Sequence, residues 1–212
     1  MPTSGPLPAP RSLLPLVLIV LLWSGISPHD RFTWFMEVFP VLIGLPVLVI
    51  WRKQLPFTTL VYGLLALHAC ILMVGGKYTY AEVPLGYWME GWFGFVRNNY
   101  DRIGHLAQGF VPALVFRELL LRNTPMKPGR WLAFQVFCCC MALSACYELL
   151  EWGTALATGS AADAFLGTQG DVWDTQEDMM MAAVGAIAAL ATKTGLQDRL
   201  LKREQGAGRG EQ

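Results

Sequence analysis

From Gln54 to Gly76 the chain carries no Lys, Arg, Asp or Glu. A helix of that length crosses a bilayer core of about 30 Å, which takes about 20 residues. Five other stretches share this character. Ser12–Ser27 is uncharged, and Phe32–Trp51 is apolar except for Glu37. Ile103–Leu121 stays apolar until Arg117 and Glu118, Trp131–Glu151 is interrupted only by Glu148, and Asp174–Thr192 opens with acids and then runs apolar. Inside hydrocarbon every backbone group must be satisfied internally, and runs of helical length satisfy theirs as helices. The expected fold is all-α: a polytopic membrane helix bundle with six transmembrane helices, in one domain over residues 1–212. The spans fall at residues 11–27, 32–51, 54–76, 103–121, 131–151 and 174–192. Charge content agrees, at 15% against about 25% in soluble domains.

Basic residues set the orientation, because short cytoplasmic loops accumulate them. With the N-terminus inside, the cytoplasmic set is Arg11; Arg52 and Lys53; Arg122, Lys127 and Arg130; and Lys193, Arg199, Lys202, Arg203 and Arg209. The opposite set is only Arg31, Lys77, Arg97 and Arg102. Both termini are therefore expected in the cytoplasm, with residues 193–212 as a cytoplasmic tail. A cleaved signal at the first span is disfavoured by its weak basic region and the lack of a small-residue cleavage site. The 16 basic and 16 acidic residues exclude a basic nucleic-acid binder. Cys70, Cys138, Cys139, Cys140 and Cys146 sit in apolar runs without metal-ligand spacing, and are expected to be small core hydrophobes.

Residues 77–100, KYTYAEVPLGYWMEGWFGFVRNNY, contain Pro84, Gly86, Gly91, Gly94 and several Tyr and Trp. Such aromatics favour the membrane–water boundary, so this stretch reads as an outer interfacial segment between the third and fourth helices.

The polar residues collect at one depth. Asp101 and His105 begin the fourth span, Glu148 and Glu151 close the fifth, and Asp171, Asp174 and Asp178 open the sixth. Asp101 and His105 are four residues apart and Glu148 and Glu151 three, so each pair shares a helix face. The charge-free run from Met179 to Thr192 covers about 21 Å, less than a bilayer core, so Asp178 is drawn below the interface. An acid there marks a functional site by default. Six carboxylates and an imidazole do not satisfy one another as anions; they need protons, a cation, or Arg97 and Arg102. Oxygen-rich ligands with one His suit Mg²⁺, Mn²⁺, Ca²⁺ or Zn²⁺. The candidate metal set is Asp101, His105, Glu148, Glu151, Asp171, Asp174 and Asp178, with His105, Asp101, Glu148 and Asp174 as the catalytic candidates. Glu37 reads as interfacial and outside this group. Arg117 reads as snorkelling, and His68 as a hydrogen-bonded packing residue.

The motifs GGKYTYAEVPLGYW, RNNYDRIGHLAQGFVPALVFRELLLR, YELLEWGTALATG and AFLGTQGDVWDTQEDMMMAAVGA resemble the bacterial YjdF-type inner-membrane proteins, a family of unknown function. The resemblance implies a multipass protein of the bacterial inner membrane. A looser likeness is to VanZ-like membrane proteins, with an Asp-x-x-x-His at a helix start (Asp101, His105), a Glu on the next helix (Glu148) and an Asp-rich start to a later one (Asp171, Asp174). Where that family has Asn before Gly185, this chain has Ala182 and Ala183. The likeness implies, by analogy, an envelope lipid or lipid-linked substrate.

Three functions fit these residues: a metal-dependent membrane enzyme with an outward-facing site, a cation- or proton-coupled transporter, and a structural or accessory membrane protein. The bilayer is the partner common to all three.

Overall fold

The computed structural model describes residues 10–54, 56–159 and 163–209, which contain helices, turns and no strand. The last three residues of the expected tail fall outside them. The helices are α1 (Pro10–Gly25), α2 (Arg31–Ile50), α3 (Thr59–Tyr78), α4 (Pro84–Phe93), α5 (Tyr100–Asn123), α6 (Arg130–Thr158), α7 (Asp163–Leu166), α8 (Asp174–Thr192) and α9 (Thr194–Arg209), with a 3-10 turn at Tyr80–Glu82. Large apolar side chains on α1, α2, α6 and α8, among them Leu22, Ile43, Phe134 and Ile187, point away from the protein. That is the arrangement of helices solvated by lipid rather than water.

Among the described residues three helices, α2, α3 and α6, are long and apolar enough to cross a membrane, and α8 with α9 makes a fourth if their 57° bend lies within one span. The sequence pattern predicts six. The difference lies in α1, whose 16 residues fall just short of the usual length, and in α5, which carries Asp101, Arg102, Arg117, Glu118 and Arg122.

The closest packing joins α5 to α8. A Cβ on Gly109 would stand 1.8 Å from the Ala182 carbonyl oxygen, and one on Gly185 2.1 Å from that of Leu106. Glycine at both positions lets the two backbones touch, the usual device where lipid supplies no hydrophobic drive between helices. Below this contact Leu114, Leu132, Val136 and Ala186 close the core. Above it the Tyr80 ring lies where Cβ atoms on Gly75 and Gly104 would be, at 2.2 and 2.8 Å. It thereby seats the start of α5 against the end of α3.

Several expectations need correction. The helix of the fifth span does not close at Glu151: α6 continues to Thr158 and stops at Gly159, whose φ is +60°. Nothing in residues 152–158 breaks a helix, so both glutamates lie inside it. Arg117 does not snorkel. It is buried and donates to Gln197 (2.9 Å) and Asp198 (2.6 Å) of α9. Glu118, fully buried, accepts from the Thr58 amide and hydroxyl, from Arg122 and from Gln197. The expected tail is thus a helix tied to α5 by hydrogen bonds. Of the five free cysteines only Cys140 is buried, while Cys138 and Cys146 are exposed on α6. In the 77–100 segment Tyr80, Val83 and Tyr100 are core, whereas Trp88, Trp92 and Phe93 are exposed.

Candidate acidic and histidine site

Two loops bring the polar residues together. The Asn98 amide donates to the Gln169 side-chain oxygen at 3.1 Å, and the Gln169 amide group donates to the Asn98 carbonyl at 2.8 Å. Asn98 also donates to the Val83 carbonyl and accepts from the Tyr100 amide. Its side chain occupies the space over Gly86 that any Cβ there would take. The loop before α5 is therefore locked to the loop before α8, and Arg97 and Asp171 come within reach of each other.

The outer layer is an ion-pair network. Arg97 bonds Asp171 (3.0 Å) and Asp174 (2.7 Å). Arg102 bonds Asp174 (2.9 Å), Glu177 (2.8 Å) and Asp178, with Asp171 at 3.4 Å. Both guanidiniums are largely buried, so these carboxylates are matched by fixed positive charge close at hand. The sequence stripe Asp171, Asp174, Asp178 is not wholly helical, because α8 begins at Asp174. Asp171 instead accepts from the Trp173 amide in the preceding turn.

The inner layer surrounds His105. Its Nε2 lies 3.4 Å from Asp101 and 3.8 Å from Asp178, while Nδ1 lies 3.8 Å from Glu148 and 3.0 Å from the Gln108 side-chain oxygen. With the Gln108 oxygen in this orientation the contact pairs with an N–H on Nδ1, since an amide oxygen only accepts. In the neutral ring Nε2 then turns a lone pair toward two carboxylates. The ligand atoms of Asp101, His105 and Asp178 lie within 4.8 Å of one another, and all three residues are buried. Glu148 Oε1 is buried without a hydrogen-bond partner.

Beside His105 opens a cavity of about 100 Å³, lined among others by Glu37, Asp101, Gln108, Tyr147 and Glu151. Glu37 is buried and accepts from the Tyr147 hydroxyl at 3.4 Å. Glu37 is not an interfacial side chain but a buried one: α2 packs this side inward against α3, with Tyr147 of α6 reaching Glu37. His68 also lines this cavity, and its buried Nε2 has no hydrogen-bond partner, contrary to expectation.

Of the seven candidates, the structure gathers Asp101 and Glu148 around the His105 imidazole, shares Asp178 between that ring and Arg102, sets Glu151 on the adjoining cavity, and gives Asp171 and Asp174 to the arginines. Sequence reasoning missed Gln108, Tyr147 and Glu37. Gln108 is three residues from His105 and seven from Asp101, the same helix face, so its place was readable. Glu37 had no such signal, because its neighbours come from other helices.

Apolar helices facing outward around a buried acid–histidine cluster define a helical membrane protein with a polar site at one end of its bundle. The chain belongs to the family described as predicted membrane protein (DUF2238), which it matches over residues 9–199. It is also 48% identical over 201 residues to the inner membrane protein YjdF of Escherichia coli (strain K12), covering 91% of this chain and 96% of that protein. No solved structure matches it. The relative's name and the apolar helices support an inner-membrane location for this chain too.

Proposed function

We propose that the protein is a divalent-cation-dependent membrane enzyme, acting on a lipid or lipid-linked substrate at the outer face of a six-span bundle with both termini cytoplasmic. The observation that carries this reading is the Nε2 of His105. With Nδ1–H on Gln108, it faces Asp101 at 3.4 Å and Asp178 at 3.8 Å. Lone pair against carboxylate is repulsive unless a proton or a cation lies between them. Two ligands about 2.1 Å from one metal stand roughly 3.0–3.4 Å apart in octahedral or tetrahedral geometry, so the Asp101–His105 separation suits a shared ion.

Asp101, His105 and Asp178 would hold the ion. When bound, it polarises a phosphoryl or acyl oxygen or lowers the pKa of water. Glu148, whose Oε1 has no hydrogen-bond partner, is the general base. Arg97 and Arg102 offset the surplus negative charge.

Thermal unfolding of the purified protein, first in chelator and then with Mg²⁺, Mn²⁺, Ca²⁺ or Zn²⁺ restored, tests this. An ion that binds only the folded chain raises its melting temperature by mass action. Melting indifferent to every ion and to the chelator would overturn the metal reading. One observation favours a second reading, a structural ion-pair lock: Arg102 alone reaches Asp171, Asp174, Glu177 and Asp178. In that case a protonated His105 bridges the remaining acids and the ions do nothing.

A further inference from the structure

A second cavity, of about 380 Å³, runs between α1, α2 and α3 and reaches α5 and α6. Its size falls in the range of about 300–1,000 Å³ typical of ligand pockets. The walls are hydrocarbon almost throughout, from Leu13 and Val17 on α1 to Leu45 and Leu48 on α2, and among the described residues the one charged side chain is Arg52. Pro40, His68, Leu72 and Leu143 line both this cavity and the polar one beside His105. The two spaces therefore adjoin across these four side chains, one apolar and one acidic. His68 lines both, and its Nε2 is buried and without a hydrogen-bond partner. A polar atom left bare at the meeting of an apolar and a polar space calls for a ligand group there.

We propose that the adjoining cavities bind one amphiphile. Its single hydrocarbon chain fills the α1–α2–α3 cavity, and its hydrogen-bond-donating headgroup, an amine or hydroxyl, lies against Glu37, Asp101 and Glu151. Those carboxylates accept hydrogen bonds and, when ionised, donate none. An unassisted anionic headgroup is repelled by them, whereas an amine or a polyol satisfies them. His68 meets the polar group nearest the chain. This deepens the proposed function by naming its substrate class, but the chain seat rests on different residues from the cation site.

Gly44 on α2 gives a clean test. It lines the apolar cavity, and a Cβ built there meets nothing within 4 Å. Gly44→Leu therefore starts its side chain in open space and takes up part of the cavity. Gly63 on α3 is equally open but lines neither cavity, so Gly63→Leu is the control.

The full chain, reconstituted in lipid nanodiscs with chelator present, is photolabelled with single-chain probes carrying a diazirine in the chain. The probes end in an amine, a glucoside, a phosphate or plain hydrocarbon. Labels from the amine or the glucoside should map to residues 40–49 and 65–72 and exceed those from the phosphate and headless probes. Whichever of the two labels more strongly identifies the headgroup. Gly44→Leu should cut this labelling about tenfold, as expected from displacing roughly two chain methylenes, and Gly63→Leu should leave it unchanged. Equal labelling by all four probes, or labelling unmoved by Gly44→Leu, overturns the proposal. Chelator removes the cation from the comparison, so failure here and failure of the metal reading are separate results.

Discussion

Asn98 and Gln169, 71 residues apart in sequence, hold each other by two hydrogen bonds between backbone and side-chain amide. Gln169 pays for this with a left-handed backbone, φ +49°, which only the surrounding contacts can hold in place. The pair fixes the loop carrying Arg97 against the loop carrying Asp171, and so assembles the outer layer of the site.

Replacing Gln169 separates these two contributions. Gln169→Ala loses both hydrogen bonds and keeps the unfavourable φ, and should destabilise by about 1–3 kcal/mol. Gln169→Gly loses the same bonds but relaxes the backbone, so it should melt above the Ala variant. Equal melting temperatures would show that the backbone conformation costs nothing there.

Arg102 is the hub of four acids. Arg102→Met strands buried carboxylates and should cost about 3–5 kcal/mol, the usual penalty for removing one partner of a buried pair. Arg102→Lys keeps the charge but loses the fork that reaches several acids at once, so it should recover only part. Adding Asp178→Asn to Arg102→Met should restore some stability, and thermal unfolding of the single and double variants measures the coupling.

Asp101→Asn and His105→Ala should abolish the cation-dependent rise in melting temperature while leaving membrane insertion intact, because neither lowers the apolar content of a span. At an ion concentration 100 times Kd the rise being lost corresponds to about 2.7 kcal/mol. Glu37→Gln should keep the ion response, since Glu37 is not in the Asp101–His105–Asp178 group. It should instead weaken headgroup binding in the photolabelling assay. Loss of the ion response in Glu37→Gln would place the cation deeper in the cavity than proposed.

Topology is checked by reporter fusions. Those after Leu121 and Leu201 should read cytoplasmic and one after Gly159 external, from the asymmetry of basic residues. A cytoplasmic signal at Gly159 would put the acidic end of the bundle on the inner face and remove the outward-facing substrate from the reading.

Much of this molecule is local, and the sequence determined that part. The uncharged run from Gln54 to Gly76 has few options but a helix in lipid, and α3 fills most of it. The spacings of Asp101 with His105 and of Glu148 with Glu151 fixed which side chains share a face, because helical period is a property of the backbone alone. What no local pattern carries is which faces meet. Gly109 against Ala182 and Gly185 against Leu106 decide how deeply α5 and α8 interlock, and that contact decides which acids surround His105. Glu37 enters the site only because α2 turns inward. Arg102, not a neighbouring acid, sets the charge balance of Asp174 and Asp178. Buried charge depends on distances of a few ångströms between elements far apart in sequence, and only tertiary packing sets those.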